Sequence, residues 1–303
     1  MIVESSPGEV LARVRSVRQD GRIIGVVPTM GALHRGHVSL MECARQECGF
    51  VIVTIFVNPT QFLPGEDYAR YPRTLEADLT LCRDAGADLV FTPPTAAMYP
   101  AGTQTAVQVD DLAQRWEGQH RPGHFTGVAT VVAKLLNISQ PDRAYFGQKD
   151  FQQQLIIQRM VSDLNFPVSV VACPIVREPD GLALSSRNRY LSDAERRAAT
   201  SIYQTLKLAE SLADDPGLTP PEISLRMQQN LQGIPEIQLN YAAVADCRTL
   251  EPLESKKERG VALIAAHVGR TRLIDNQILQ FRSEKGSGTN SAEHPPGHAA
   301  IGS

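Results

Sequence analysis

The feature that most constrains this chain is a strand–turn–helix pattern near its N-terminus that carries two histidines. The apolar run Ile23 to Val27 predicts a short buried strand. A turn with Pro and Gly follows, and a helix is expected to open at about His37. His34 and His37 are three residues apart and can share one helix face, although such a pair alone also arises by chance. Two imidazoles beside the N–H groups and positive dipole of a helix start favour phosphate binding.

Length and composition narrow the class of protein. The 303 residues suffice for two domains, and 42% hydrophobic with 21% charged residues is typical of a globular protein. A net charge of −3 gives no reason to expect nucleic acid or a membrane as partner. No apolar stretch approaches the roughly 20 residues of a membrane span, and the N-terminus lacks a signal-peptide pattern. Five cysteines without a C-x-x-C pair favour free thiols, so we expect a cytoplasmic protein.

Strand-like and helix-like segments alternate through the first half of the chain. Residues 50–57 form a continuous apolar run rich in β-branched residues, typical of a strand buried on both faces. Further strands are predicted at 87–91, 142–146 and 168–176, with helices between them. This rhythm predicts an α/β fold with a doubly wound, mostly parallel, Rossmann-like sheet, which we assign to residues 1–176.

The pattern changes after the first domain. Two capping boxes, each with a hydroxyl residue three positions before a glutamate, predict two helices, and two strand-like runs follow them. The boxes are Ser192–Glu195 and Thr219–Glu222, and the strands are 238–245 and 261–268. We interpret residues 177–282 as a smaller α+β domain. The final stretch, 283–303, has few large apolar side chains and is expected to be disordered.

A second motif places a lysine near a helix start, just after the strand predicted at 142–146. Gly147 lets the backbone approach a ligand closely, and Lys149 is a suitable point charge for a transferring phosphoryl group. Gln153 lies one helical turn further on. Taken alone, a lysine at this position is more often a solvated surface residue.

Other loops and one helix start add polar groups. Segment 177–188 has a Pro-Asp-Gly turn followed by serines and an arginine that can donate to a polyphosphate, and it also suits an interdomain linker. Segment 58–62 offers amides for a non-ionic part of a substrate. The Gly-rich loop 116–127 carries His124, which is either catalytic or a structural hydrogen-bonder. Asp78, at a predicted helix start, is a possible cation ligand, although most aspartates there cap the helix.

Two common nucleotide-binding signatures are missing from the sequence. There is no G-x-x-x-x-G-K-[ST] loop, which argues against P-loop phosphotransfer. There is also no complete G-x-G-x-x-G fingerprint, which disfavours a Rossmann dehydrogenase. The motifs together therefore indicate a different kind of nucleotide phosphate chemistry in an α/β fold.

These motifs resemble those of the pantothenate synthetases, the pantoate–β-alanine ligases within the H-x-G-H nucleotidylyl-transferase superfamily. The matching segments occur in family order: Pro28–His37, Phe56–Phe62, Tyr71–Thr74, Arg121–Phe125, Phe146–Asp150, Arg177–Gly181, Ser185–Asn188 and Thr271–Asn276. The resemblance implies condensation of (R)-pantoate with β-alanine to pantothenate. ATP is the implied co-substrate, and a pantoyl adenylate is formed with release of pyrophosphate and then AMP. It further implies Mg²⁺ that arrives with ATP, and a homodimer formed through the N-terminal domain.

The resemblance also implies roles for individual residues. The implied catalytic residues are His34, His37, Lys149 and Arg187. The implied ATP site comprises Pro28, Thr29, Met30, Gly31, Ala32, Leu33, His34, Arg35, Gly36, His37, Gly147, Gln148, Lys149, Asp150, Val176, Leu184, Ser185, Ser186 and Arg187. His37 is the implied proton donor. Gln61 and Gln153 would hold pantoate, with Gln61 also near β-alanine and Asn58 beside them, and Asp78 matches a position associated with Mg²⁺.

Leu184 is a departure from the family, which usually has Met there; the change is apolar and similar in volume. Three alternatives remain at this point. Another nucleotidylyl transferase, making a dinucleotide-type cofactor, would share the H-x-G-H opening but would not need segments 58–62 and 121–125. A non-catalytic nucleotide-binding module is disfavoured by the intact cationic and histidine residues. A fragment of a class I aminoacyl-tRNA synthetase is disfavoured by the lack of a basic RNA-binding face.

Overall fold

The structure, a computed structural model, describes residues 1–281 and builds the larger domain around a six-stranded sheet. All neighbouring strands in this sheet are parallel, in the order β1-β4-β3-β2-β5-β6. The strands are β1 (Ile2–Glu4), β2 (Ile24–Thr29), β3 (Phe50–Ile55), β4 (Leu89–Phe91), β5 (Arg143–Gly147) and β6 (Ser169–Cys173). The predicted doubly wound parallel sheet is thereby confirmed. The disorder expected of 283–303 concerns residues outside the described range.

Helices cover both faces of this sheet. They are α1 (Pro7–Gln19), α2 (Arg35–Glu47), α3 (Leu75–Asp84), α4 (Thr95–Met98), α5 (Asp110–Ala113), α6 (Glu117–His120), α7 (His124–Ser139) and α8 (Phe151–Asp163). Alternate residues of a strand face opposite sides, so Val26 and Ile52 join one buried cluster whereas Val27 and Val53 join another. Two-sided burial explains why β3 is a continuous apolar run.

The order of the strands determines where a ligand can bind. From β2 the chain runs to β3 and β4 on one side of the sheet, and it later reaches β5 and β6 on the other side. The crevice between the ends of β2 and β5 is therefore the switch point at which open α/β sheets bind ligands. The polar segments that follow β2 and β5 begin at this crevice.

The C-terminal part has its own core of helices packed on an antiparallel sheet. Its elements are α9 (Asp193–Ala213), α10 (Pro220–Gln232), β7 (Ile237–Ala245), β8 (Arg259–Val268) and β9 (Thr271–Gln280). Both predicted capping boxes are present, with the hydroxyls of Ser192 and Thr219 accepting the N–H groups of Glu195 and Glu222. A further apolar cluster, with Ile156 of the larger domain and Val261 of the smaller one among its members, joins the two parts.

Several elements differ from the predictions. The strand β1 and helix α1 were not predicted, and neither was β9, so the smaller sheet has three strands instead of two. Helix α7 begins at His124, whereas the sequence pattern predicts a helix over 129–138, and α2 begins at Arg35, two residues before its predicted start. The boundary between residues 176 and 177 stays a prediction. Across residues 1–281, no helix combines the length and hydrophobicity needed to cross a bilayer.

Candidate active site

A buried carboxylate fixes the backbone of the turn between β2 and α2. Asp78 of α3 accepts the backbone N–H groups of Ala32 at 2.9 Å and Leu33 at 2.8 Å. Gly31 has a φ of +83° and Ala32 a φ of +50°, a left-handed backbone that glycine adopts readily and alanine does not. These two hydrogen bonds fix that conformation, and with it the direction in which α2 begins.

The two histidines of the motif cap this helix with their rings. His34 is the N-cap residue, and its Nδ1 accepts the backbone N–H of Gly36 at 3.2 Å. The Nδ1 of His37 accepts the backbone N–H of His34 at 3.3 Å, and the ring centroids are 4.2 Å apart. A neutral imidazole that accepts at Nδ1 carries its proton on Nε2. Both Nε2–H groups are therefore available to a ligand.

Both rings are neutral at pH 7. Burial, with a smaller contribution from the nearby Lys149 ammonium, lowers the pKa of His34 from 6.5 to about 4. Burial, followed by His34 and Lys149, lowers the pKa of His37 to about 3. The expected proton donor, His37, is therefore a neutral hydrogen-bond donor at pH 7 and not an imidazolium.

The loop after β3 presents Gln61 to the same cavity. Its Nε2 lies 2.9 Å from the Sδ of Met30, and its Oε1 accepts from Asn58 Nδ2 at 3.1 Å. Asn58 is 1% exposed, and the same Nδ2 donates to the carbonyl of Gly127 while its Oδ1 accepts from Tyr99 at 2.8 Å. Asn58 also lines the cavity, and the substrate-binding role expected for it stays a prediction. Its amide is used within the protein and supports Gln61.

Three residues outside the implied site fix the backbone of Gln61. His124 Nδ1 lies 2.8 Å from the Gln61 carbonyl, and its Nε2 lies 3.0 Å from Arg121 Nη1. Arg121 forms two 2.7 Å hydrogen bonds to Glu66. Burial, followed by the Arg121 charge, lowers the pKa of His124 to about 4. Of the two roles left open for His124, the structure therefore supports the structural one. The motif containing Arg121 and His124 was the only sequence signal for this network.

The phosphate-directed residues after β5 and β6 face the histidines. Lys149 lines the same cavity as both histidines, and its charge contributes to lowering the pKa of each. Ser185 Oγ accepts the N–H of Arg187 at 3.3 Å, and Arg187 lies 3.5 Å from Asp67. The start of segment 177–188 is held by α9, because Arg196 forms ion pairs with the carboxylates of Glu178 and Asp180.

Most of the implied site residues line one cavity of about 260 Å³. They are Pro28, Thr29, Met30, His34, Gly36, His37, Asn58, Gln61, Gly147, Lys149, Asp150, Gln153, Val176, Leu184, Ser185, Ser186 and Arg187. A second cavity of about 960 Å³ lies between the two domains and shares Lys149, Gln153 and Arg187 with the first. The two spaces therefore adjoin, and an extended ligand can occupy both.

The structure places five implied ATP-site residues away from the lining of this cavity. They are Gly31, Ala32, Leu33, Arg35 and Gln148. The first three form the turn that Asp78 holds. Arg35 is exposed on α2 and pairs with Glu42 at 2.6 Å, and the carbonyl of Gln148 is bound by Asn276. These residues shape the site through the backbone, and their expected part in binding ATP stays a prediction.

The carboxylate of Asp78, which matches a position associated with Mg²⁺, is bound by groups of the protein itself. This carboxylate is 2% exposed, and besides its two backbone partners it accepts from the hydroxyl of Thr74 at 3.1 Å. Among residues 1–281, no group of three or more His, Cys, Asp or Glu side chains is arranged to hold a metal ion.

A parallel sheet that places neutral histidines, a lysine and an arginine around one crevice defines an α/β enzyme equipped for phosphate chemistry. The family model described as pantoate-beta-alanine ligase matches residues 3–278. The chain therefore belongs to the pantoate–β-alanine ligase family, the enzymes that join pantoate to β-alanine. The function expected from the sequence is thereby confirmed.

Individual relatives agree with this assignment. The pantothenate synthetase of Moorella thermoacetica is 52% identical over 267 residues, which cover 88% of this chain and 94% of that protein. The crystal structure of pantothenate synthetase from Thermus thermophilus is similar with a TM-score of 0.87 and 47% identity, covering 91% and 99% of the two chains. That of the Francisella tularensis ligase, complexed with β,γ-ATP and β-alanine, has a TM-score of 0.75 at 35% identity, covering 92% and 97%.

Proposed function

We propose that this site makes pantothenate in two half-reactions, with ATP as co-substrate. A carboxylate oxygen of (R)-pantoate attacks the α-phosphorus of ATP, and the bond to pyrophosphate breaks. The amine of β-alanine then attacks the acyl carbon of the pantoyl adenylate, loses a proton and displaces AMP. The observation that carries this proposal is the cavity in which the His34, His37 and Lys149 donors lie within one space with Gln61 and Gln153.

The first step needs charge stabilisation more than a base. A carboxylic acid, whose pKa in water is about 4, is already ionised at pH 7. The barrier then depends on in-line positioning and on neutralising the charge that grows on the phosphates. The Nε2–H groups of His34 and His37, the Lys149 ammonium and the Arg187 guanidinium are the donors we assign to this task. A neutral imidazole is suited to it because it donates without first having to be protonated.

The amides are assigned to pantoate. The side chain of Gln153 has no hydrogen-bond partner within residues 1–281, and Gln153 lines both cavities. Gln61 is held rigidly by its backbone and by Asn58. Two amides, one fixed and one unpartnered, can donate to and accept from the hydroxyl groups and carboxylate of a hydroxy acid.

Three further features belong to the proposal. Mg²⁺ enters bound to the phosphates of ATP. The enzyme acts in the cytoplasm, and it forms a homodimer through its N-terminal domain. Size-exclusion chromatography with light scattering tests the dimer directly, and a monomer at micromolar concentration would contradict it.

The two half-reactions can be separated by isotope exchange. Labelled pyrophosphate is expected to exchange into ATP when pantoate is present and β-alanine is absent, because only the adenylate step is needed. The complete reaction is expected to yield AMP. Exchange that requires β-alanine, or ADP as the nucleotide product, would reject the adenylate mechanism, since ADP means attack at the γ-phosphorus.

A further inference from the structure

Two adjacent residues of β9, in the smaller domain, contact both phosphate-directed segments of the larger site. Asp275 and Asn276 are 4% and 1% exposed, although both are polar. Asp275 reaches the segment that follows β6, and Asn276 reaches the turn that follows β5. The chemistry described above does not use either side chain, so their burial calls for another explanation.

Asn276 binds two successive backbone carbonyls. Its Nδ2 donates to the carbonyl of Gln148 at 2.9 Å and to that of Lys149 at 2.9 Å. Both hydrogens of the amide are therefore used on the short 3₁₀ turn, Gln148–Asp150, that connects β5 to α8. Fixing two neighbouring peptide groups fixes the Cα–Cβ direction of Lys149, and hence the region that its ammonium can reach.

Asp275 holds the second segment in the same way. Its carboxylate accepts from Arg177 in a bidentate pair, at 2.6 and 3.1 Å, and its Oδ1 also accepts the N–H of Asn276 at 2.8 Å. Arg177 donates in addition to the carbonyl of Gly181 and lies 4.1 Å from the ring centre of Tyr203. The start of segment 177–188 is thereby tied to the strand that also holds the Lys149 turn.

We propose that Asn276 is a positioning residue for adenylate formation, which acts by fixing the backbone of Lys149. Asp275, through Arg177, holds segment 177–188 in a fixed position relative to that turn. The inference rests on the proposed role of Lys149 and adds that the smaller domain contributes to the first half-reaction through the backbone of the larger one. If Asn276 only linked the two domains, its loss would lower the stability of the protein but would leave Lys149 in place.

The first test compares Asn276→Ala with a control on the same strand. Gln277→Ala removes an amide that instead donates to Glu210 of α9 at 3.1 Å, outside the site. A misplacement of about 1 Å can cost about 10²-fold in rate. We therefore expect pyrophosphate exchange by Asn276→Ala to fall by about 10-fold or more in kcat, with the KM for pantoate within about 2-fold. Gln277→Ala is expected to keep near-native exchange. Equal behaviour of the two variants would overturn the proposal.

The second test is a double-mutant cycle with Lys149→Ala. If Asn276 acts through Lys149, adding Asn276→Ala to Lys149→Ala causes little further loss of exchange, because the group being positioned is already gone. Losses that multiply would show a separate, structural role and overturn the proposal. Near-native turnover by Lys149→Ala would instead reject the proposed role of Lys149, which keeps the two failures distinguishable.

A third variant keeps the proposal testable if Asn276→Ala does not fold. Asn276→Ser retains one shorter donor that can serve one of the two carbonyls. Its exchange rate is expected to lie between those of the wild type and Asn276→Ala, or, if the alanine variant is unfolded, clearly below the wild type in a protein with native circular dichroism. A folded serine variant with wild-type kcat would overturn the positioning role.

Discussion

His37 and His34 fix each other's protonation state. The Nδ1 of His37 accepts the backbone N–H of His34 at 3.3 Å, while the ring of His34 caps the same helix through Gly36. Each ring is thereby committed to carrying its proton on Nε2, facing the cavity. At this helix start the two imidazoles accept the N–H groups of His34 and Gly36, and their own Nε2–H groups add donors that face the cavity.

This arrangement predicts how stability depends on pH. Burial lowers the pKa values of His34, His37 and His124 from 6.5 to about 4, 3 and 4. Between pH 6.5 and these values the unfolded chain binds more protons than the folded one, so the free energy of unfolding decreases as the pH falls. Urea titrations from pH 7.5 to 5 are expected to show a plateau above about 6.5 and a decline below it.

A substitution of one histidine tests whether histidine protonation causes this decline in stability. Most carboxylates remain ionised above pH 5, so the decline between pH 6.5 and 5 reports mainly on histidine. His124→Asn keeps a donor toward the Gln61 carbonyl but removes one titrating group, so a shallower slope is expected. Stability that is constant or rises across this window would contradict the lowered pKa values.

Gly36 is predicted to be required for activity and not for folding. A Cβ built at this position would lie 2.9 Å from Cε1 and 3.0 Å from Nδ1 of His34, so the ring must move. Alanine favours a helix over glycine by about 1 kcal/mol, which offsets part of the strain. We expect Gly36→Ala to lose about 10-fold or more in pyrophosphate exchange with little change in melting temperature.

The matched control for Gly36 is Gly8→Ala in α1. There a Cβ meets only the Oγ of Ser6, at 3.7 Å, an ordinary contact. Near-native activity is expected for this variant. If Gly36→Ala were equally active, the placement of the His34 ring would not matter for catalysis.

Loss of the Gln61 side chain is predicted to raise the KM for pantoate much more than the KM for ATP. Its side chain is 8% exposed, and its backbone is held by His124 and Arg121. Removing an amide that holds a buried polar substrate group costs roughly 1–3 kcal/mol, so Gln61→Ala should raise the KM for pantoate by about 5- to 150-fold. Gln61→Glu keeps the size but adds a negative charge, and should weaken the anionic substrate at least as much. A change confined to the KM for ATP would place Gln61 outside the pantoate site.

Asp78 is predicted to matter for the fold of the H-x-G-H turn and not for magnesium. Asp78→Ala would leave the N–H groups of Ala32 and Leu33 without their acceptor in a buried turn, at roughly 1–3 kcal/mol each. We expect a lower melting temperature and lower turnover, while the Mg²⁺ concentration that gives half-maximal rate stays unchanged. A large shift of that concentration in a variant with a native melting temperature would restore the ligand role.

The sequence predicted those parts of the molecule that rest on local patterns. Apolar runs and capping boxes predicted the parallel sheet and the two C-terminal helices, and the H-x-G-H turn predicted the histidine pair. Strand β1 was not predicted, because its three residues are too few to show a periodic pattern. Strand β9 was not predicted either. Its polar residues Arg272, Asp275 and Asn276 bind partners distant in sequence, and hydrophobic alternation cannot reveal such pairing.

Residue roles were harder to predict than elements, for a related reason. Asn58 and Asp78 have side chains suited to a substrate and a cation, but the structure uses both for turns of the protein itself. What the sequence could not show is which hydrogen-bonding groups are already occupied by the folded backbone.

The last prediction concerns an ion pair that joins the two domains. Glu117, on the short helix α6, accepts from both Nη atoms of Arg272 on β9, with the Nη2 contact at 2.7 Å, and from the Tyr241 hydroxyl at 2.7 Å. Burial alone would raise the pKa of Glu117, but Arg272 and Tyr241 outweigh it and lower the pKa, so the carboxylate is ionised at pH 7.

Removing one partner of this ion pair is expected to lower the free energy of unfolding more than removing both partners. Arg272→Ala leaves the 8% exposed Glu117 carboxylate without its cation, and the loss of one partner of a buried pair typically costs about 3–5 kcal/mol. Adding Glu117→Gln to Arg272→Ala removes the uncompensated charge, so the double variant should unfold at a higher urea concentration than Arg272→Ala alone. Arg226→Ala on α10, for which no ion pair occurs within residues 1–281, serves as a control for the loss of an arginine. A double variant less stable than Arg272→Ala would show that Glu117 does not depend on this cation for its burial.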